Sequence, residues 1–225
     1  MCCIDVFYLQ FSTPLPAPQW QRCLHSLPEP YLHKVTRFRH WQDQHAAVLS
    51  LLLLRHALIG YGLSSECLSQ LKRNDYGRPF IDASPVDFNI THSGEYVLCA
   101  LTPLGRVGVD IEYMKPIKMS DFKACMTPAQ WQALTQSQFN KALFYDYWTI
   151  KESVIKADGR GLNIPLETIH TEPSCAYVDD AVWFIHKLAL DNRYAAHVAT
   201  DQPQAQLRLQ RITEITDNHQ AVLLI

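Results

Sequence analysis

The sequence predicts an α+β protein of two similar lobes, each a helix packed on a small antiparallel sheet. Three observations carry that expectation. Two long helix-like segments, near 40–60 and 143–158, each run into a glycine pair, GYGL at 60–63 and GRGL at 159–162. Each is followed by a turn-rich stretch and two strand-like runs: VDFNITHS and GEYVLCALTP in the first half, AVWFIHKLAL and NRYAAHVATD in the second. The halves also echo each other in letters. Gly60/Gly159, Gly62/Gly161 and Leu63/Leu162 share one offset, and Tyr96…Thr102 is answered by Tyr194…Thr200. The order helix, turns, strands carries more weight than those few identities. Pro116 breaks the pattern in MKPIKM at 114–119, which places the join there and gives lobes of 1–113 and 114–225.

Taken in order, MCCIDVFYLQF reads as a strand and lacks the basic start of a secretory signal. The apolar run from Ala46 is interrupted by Arg55 and His56 and is too short to span a bilayer, which needs roughly 20 apolar residues. The glycines after each long helix suit a helix C-terminus, where a left-handed residue is wanted. GRVGVDIEY at 105–113 alternates Val107, Val109 and Ile111 with Gly108, Asp110 and Glu112, the period of a strand. Thr127 followed by Pro128 is a helix start. In the second long helix, Leu143, Tyr147, Ile150 and Val154 form one apolar stripe.

Of 225 residues, 48% are hydrophobic and 19% charged, with a formal net charge of −2, an ordinary globular balance. That charge excludes a nucleic-acid binder held by a large basic field, although RFRH at 37–40 is a local basic cluster. The seven cysteines show no C-x-x-C and no zinc spacing, which fits a reducing cytoplasm. The expected protein is cytoplasmic, with no membrane and no nucleic-acid partner.

The chemistry begins on the strand. Alternation sets Asp110 and Glu112 on one face, roughly 6–7 Å apart. A solvated edge strand would carry such a pair without function. Yet adjacent carboxylates repel, and a cation between them relieves it. Oxygen ligands without Cys or His favour a hard ion: Mg²⁺, or Mn²⁺ or Ca²⁺. On the second long helix, Thr149, Glu152 and Lys156 share another face, with Lys151 beside them. The plain reading is a surface Glu–Lys pair worth a few tenths of a kcal/mol. Combined with the strand, Glu152 becomes a third carboxylate and Lys156 a point charge for a phosphate oxygen. Arg78 lies in YGRPFI at 76–81. Thr91-His92-Ser93-Gly94 reads as a polar break between strand-like runs, made of the parts a phosphate-binding turn uses.

YGRP at 76–79, FNITHSG at 88–94, GVDIE at 108–112 and WTIKESVIKADGRGL at 148–162, with a looser match in RF at 37–38, resemble the 4′-phosphopantetheinyl transferases of the long, surfactin-synthetase-activating type. The resemblance implies that family's fold, a pseudo-dimer of two similar lobes acting as a monomer. It implies transfer of the phosphopantetheine arm of coenzyme A to a serine of an apo acyl or peptidyl carrier protein. Asp110, Glu112 and Glu152 would hold Mg²⁺, with Mn²⁺ the alternative. Glu152 is also the candidate base, acting directly or through a metal-bound water. Asp110, Glu152 and Lys156 form the catalytic set. Lys156, His92 and Thr91 would contact coenzyme A phosphates, Arg78 its nucleotide end, and Lys151 would help position it.

Two departures stand out. Thr91 occupies a place where the family commonly has serine. Many relatives carry an arginine in the segment matching DQHAA at 43–47, which grips the 3′-phosphate of coenzyme A; here stand His45 and Ala46. That leaves Arg78, Arg37, Arg39 or His45 for the 3′-phosphate. The segment MKPIKMSDFKACMTPAQW at 114–131 mixes lysines with apolar residues, which suits an acidic carrier surface. It serves equally as a loop entering a capped helix. Two other readings compete: a binding-only relative, which would have lost a carboxylate or Lys156, and a Mg²⁺ phosphohydrolase using water as nucleophile.

Overall fold

The computed structural model describes residues 3–217 and 220–224. The first half forms β1 (Cys3–Gln10), α1 (Ala17–His25), α2 (Glu29–Val35) and α3 (Trp41–Gly60). The short strands β2 (Lys72–Arg73) and β3 (Pro79–Phe80) follow, then β4 (Asp87–Ser93), β5 (Tyr96–Thr102) and β6 (Val107–Tyr113). The second half forms α4 (Pro128–Gln136), α5 (Asn140–Asp158), β7 (His170–Thr171), β8 (Cys175–Val178), β9 (Ala181–Lys187) and β10 (Tyr194–Thr200). It closes with β11 (Gln206–Arg211), β12 (Glu214–Asp217) and β13 (Gln220–Leu224). The mixed α+β class holds.

Two sheets carry the core, one ordered β11–β1–β5–β4 and the other β6–β10–β9–β8–β7. The second is antiparallel throughout. In the first, β11 adds a parallel edge to β1, from Cys3↔Gln206 to Tyr8↔Arg211. The interior strands β5 and β10 are the two that echo in the sequence, and each is buried along all seven residues.

Period-two alternation on β5 explains the layering. Val97, Cys99 and Leu101 face the helix side, where Leu49, Leu52, Leu53 and Leu58 of α3 complete the core. Leu98 and Ala100 point the other way and meet Val107, Val109 and Ile111 of β6 and Val198 of β10. Ile150, Val154 and Ile155 of α5 pack on the far side of the second sheet with Ala199. The order is helix, sheet, sheet, helix. Each fully buried Leu or Val contributes roughly 1.5–3 kcal/mol relative to exposure, so these stripes dominate folding.

The join near 113/114 does not divide the sheets. β6, counted with the first lobe, pairs with β10 from Tyr194↔Tyr113 to Thr200↔Val107. β11, counted with the second, pairs with β1. Nothing local in either strand specifies its partner, so a boundary read from Pro116 misses both crossings.

Three side chains of β4 bind β6 in place of a backbone ladder. Asp87 Oδ2 accepts from Val107 N at 2.8 Å, Asn89 Oδ1 from Val109 N at 3.0 Å, and Ser93 Oγ from Tyr113 N at 3.0 Å. Thr91-His92-Ser93 is therefore the end of a strand, not a break between strands. Alternation in DFNITHS puts Asp87, Asn89, Thr91 and Ser93 on this seam.

α4 starts in a full capping box: Gln130 N donates to Thr127 Oγ1, and Thr127 N to Gln130 Oε1. α5 ends at Gly159, whose φ of +91° is left-handed, and Gly62 beyond α3 has +89°. Among the described residues no helix is long and apolar enough to cross a membrane. Cys2 lies outside the described residues, and Cys3, Cys67, Cys99, Cys125 and Cys175 are free thiols.

Candidate active site

The site forms where α5 crosses β6 beside the end of β4. Gly108 permits the crossing. A Cβ there would lie 2.0 Å from Ser153 O and 2.4 Å from Ala157 N, so only hydrogen fits between strand and helix. Gly108, Asp110 and Glu112 share that face of β6, and the close approach brings the two carboxylates under Glu152 and Lys156.

Lys156 Nζ donates to Asp110 Oδ1 at 2.5 Å and to Thr91 Oγ1 at 3.2 Å. Thr91 Oγ1 also donates to Asp110 Oδ1 at 3.3 Å, while Asp110 Oδ2 is buried without a partner. Burial pushes Asp110 upward, and the lysine and threonine oppose it. Ser93 Oγ donates to Glu112 Oε2 at 3.0 Å. Glu112 is raised by burial first and by Asp110 second. Glu152 is raised to about 7: burial drives the shift, Lys156 opposes it, and Asp110 and Glu112 add to it. Among the described residues no hydrogen bond offsets its desolvation. Three carboxylates thus press on one another around one ammonium.

This donor set fits a hard divalent ion by chemistry, with the orphaned Asp110 oxygen as the clearest mark. Among the described residues no three His, Cys, Asp or Glu side chains converge as a ready metal cluster. The carboxylates form an open set, which suits an ion that keeps waters and takes phosphate oxygens.

Two adjoining cavities lead away from Lys156. One of about 430 Å³ is lined by Lys34, Phe38, Ala47, Leu51, Thr91 and His92 among others. The other, of about 300 Å³, reaches past Tyr76 and Arg78 to Gly159 and Gly161. Arg73, Ile90 and Lys156 border both. His92 opens to solvent, and the protein around its ring, then the charge of Lys156, hold its imidazole below the ordinary value.

Several sequence-predicted residues are engaged elsewhere. Lys151 is fully buried, and its Nζ donates to the carbonyls of Cys125 and Leu166, each at 2.7 Å, so it is a strut. Thr149 turns inward and meets His197 Nδ1 at 2.7 Å. His45 lies flat against Trp20, ring centroids 4.2 Å apart, and both ring nitrogens are used, on Leu15 N and Trp41 O. Arg78 Nη2 donates to Asp87 Oδ2 at 2.8 Å and Val107 O at 2.9 Å, which latches its turn to the β4–β6 seam. Arg37 and Arg39 are exposed and line neither cavity, whereas Phe38 between them does. Sequence reasoning missed Lys34 and Arg73. Only Arg73 had a signal, its place in KRND just ahead of YGRP.

Comparison with known proteins accords with this geometry. Residues 106–211 match the 4′-phosphopantetheinyl transferase superfamily, and residues 13–104 match the N-terminal part of a 4′-phosphopantetheinyl transferase. The chain is 32% identical over 169 residues to a 4′-phosphopantetheinyl transferase of Bacillus subtilis, covering 73% of this chain and 75% of that one. It is 29% identical over 168 residues to 4′-phosphopantetheinyl transferase Sfp of Bacillus subtilis strain 168, with the same shares covered. It is 26% identical over 212 residues to the L-aminoadipate-semialdehyde dehydrogenase-phosphopantetheinyl transferase of Xenopus laevis, covering 80% of this chain and 70% of that one. With both halves matched in order and carboxylates, lysine and groove in one place, the chain belongs to the 4′-phosphopantetheinyl transferase family.

Proposed function

We propose that this chain moves the 4′-phosphopantetheine arm of coenzyme A onto a serine of an apo acyl or peptidyl carrier protein. The observation that carries the reading is geometric: Lys156, bound to Asp110, borders both cavities, and Glu152, raised to about 7 by burial and its carboxylate neighbours, lies one helical turn before it. A general base works best when its pKa lies near the working pH. The serine Oγ attacks the β-phosphorus and its proton passes to Glu152. The bond from that phosphorus to the bridging oxygen breaks, and adenosine 3′,5′-bisphosphate leaves with the electron pair.

Lys156 is half-buried, with its ammonium shared between Asp110 and the groove, so it can hold a phosphate oxygen as charge builds. His92, neutral near pH 7, offers a donor to a phosphate. Thr91 holds Asp110 and Lys156 in register. Asp110, Glu112 and Glu152 would hold Mg²⁺, or Mn²⁺, which supplies Lewis-acid stabilisation of the pyrophosphate.

The carrier docks on residues 114–126. Lys115, Lys118 and Lys123 are exposed there, while Met114, Ile117, Met119 and Phe122 pack inward against Phe144 and Trp148. An acidic partner would meet a row of ammonium groups. The same reading makes the chain a cytoplasmic monomer whose halves form a pseudo-dimer. Free cysteines support the compartment, and the matched pairs of long helix and buried strand support the pseudo-dimer.

Intact-mass spectrometry of a panel of apo carriers, incubated with this protein, coenzyme A and Mg²⁺, tests the reading. A phosphopantetheine-sized gain on a carrier, lost with EDTA, is expected. No gain on any carrier, with a working transferase in parallel, would overturn it.

A further inference from the structure

The second sheet buries an imidazole that the transfer reaction does not use. His197 lies on β10 opposite Asp110 of β6 and Lys187 of β9, beneath α5, and is 4% exposed. The Thr149 hydroxyl settles its tautomer. Thr149 Oγ1 has one hydrogen and gives it to Tyr145 O at 2.7 Å, so its contact with His197 Nδ1, also 2.7 Å, needs the ring to donate there. The opposite assignment would press two lone pairs together. Nε2 is then the unprotonated nitrogen, an acceptor, and among the described residues it has no partner. Burial keeps the ring neutral at pH 7.

His197 borders a cavity of about 320 Å³, which shares no residue with the two cavities beside Lys156. Leu143, Tyr147 and Ile150 of α5, with Pro173 and Ile185, give it apolar walls. At 3.6 residues per turn these helix positions lie opposite Glu152 and Lys156, so the cavity is on the other face of the helix. The charged groups in its lining are engaged. Lys187 Nζ donates to both oxygens of Asp146 at 2.8 and 3.0 Å, and Tyr177 donates to Glu172 at 3.2 Å. An anion would find no free cation there, and its lone pairs would face that of Nε2. A neutral ring fills the apolar walls and can pack on Tyr147. A hydroxyl or N–H on that ring would satisfy Nε2. Pockets of this kind combine apolar lining with a few polar groups that fix orientation.

We propose that this cavity is a second ligand site, which takes a small neutral aromatic molecule with one O–H or N–H donor, such as a phenol or an indole, and directs that donor to His197 Nε2. The site is separate from the groove, and the inference stands independently of the transferase reading.

The test titrates indole, phenol and toluene, a ring without a donor, into the full chain at pH 7, with and without saturating coenzyme A. Long-range proton–nitrogen spectra of the histidine rings report on Nε2. His197→Phe identifies its signal and removes the acceptor, Leu143→Trp fills the cavity, and melting temperature checks that each variant folds. In the free protein His197 Nε2 should resonate as an unprotonated nitrogen. Indole and phenol should move it upfield saturably, whether or not coenzyme A is present. His197→Phe should bind indole about five- to ten-fold more weakly, and Leu143→Trp should not bind it. Toluene should bind the wild type more weakly than indole does. No saturable binding to the wild type, displacement by coenzyme A, or equal affinity for toluene and indole would overturn the inference, and these readouts decide it even where a variant fails to fold. A folded Leu143→Trp variant that still binds indole would overturn it too.

Discussion

At the scale of single residues, the site holds one carboxylate against its own charge. Glu152 titrates at about 7 instead of near 4.5 because burial and two neighbouring carboxylates disfavour its charge. The folded state therefore holds a proton that the unfolded state has lost between pH 4.5 and 7, so this group lowers stability as pH rises through that window. Glu152→Gln removes the strain. The variant should melt no lower than the wild type at pH 8, while its transfer rate falls at least about 100-fold; calorimetry and a carrier assay read the two. His197 acts with the opposite sign. Burial holds it neutral, down to about 4 against an ordinary 6.5, so its contribution is complete above pH 6.5 and is lost as pH falls toward 4. Each unit crossed costs up to about 1.4 kcal/mol. The two slopes oppose each other between pH 4.5 and 6.5. Glu152→Gln should unmask the His197 slope and lose urea resistance more steeply than the wild type from pH 7 to pH 5. Equal slopes would contradict the assignment. Asp110, Glu112, Glu152 and Lys156 were legible because periods of 2 and 3.6 fix which face a residue takes. Lys151, Arg78 and His45 were not, because a long or ring side chain finds partners that spacing does not encode.

At the scale of elements, the decisive contact is α5 on β6. The helix stripe and strand alternation were readable, yet their union depends on Gly108, which the sequence marks only as a small residue in a strand. Gly108→Ala would put a methyl on the backbone of Ser153 and Ala157. We expect a loss of about 3 kcal/mol by chemical denaturation. Transfer should fall about 100-fold as Glu152 and Lys156 are displaced. A stable, active Ala variant would show that α5 does not sit as close as described. The seam between β4 and β6 was hidden for a related reason. Polar alternation in DFNITHS matches a phosphate turn as well as a strand edge, and only the neighbour decides. β11 escaped too: QLRLQR alternates, but its six residues are mostly exposed, and the arm of Arg208 reaches Asp5 at 2.7 and 2.9 Å far across the chain.

For the whole molecule, the two halves are interlocked. β6 leaves the first half to edge the second sheet, and β11 returns from the second half to edge the first. Fragments 1–113 and 114–225 would each lose a strand partner and expose the apolar face between the sheets. Each fragment alone should be insoluble or lack a cooperative melt, and co-expression should restore a soluble pair. Two separately folded fragments would argue for independent lobes. The repeated order of long helix and then strands made the layered plan visible, because each such segment presents one apolar face to bury. Strand exchange across the join was invisible, since β6 and β11 carry no local mark of a distant partner.

The central claim is that Glu152 is the base that accepts the serine proton. The most direct measurement is single-turnover transfer to one apo carrier across pH 5–9, for wild type and Glu152→Gln, under saturating coenzyme A and Mg²⁺. The account predicts a wild-type rate that rises with unit slope as Glu152 ionises, with that limb below pH 7 because a bound dication favours the carboxylate, and a Gln variant at least about 100-fold slower with no such limb. A Gln variant with full activity would contradict it.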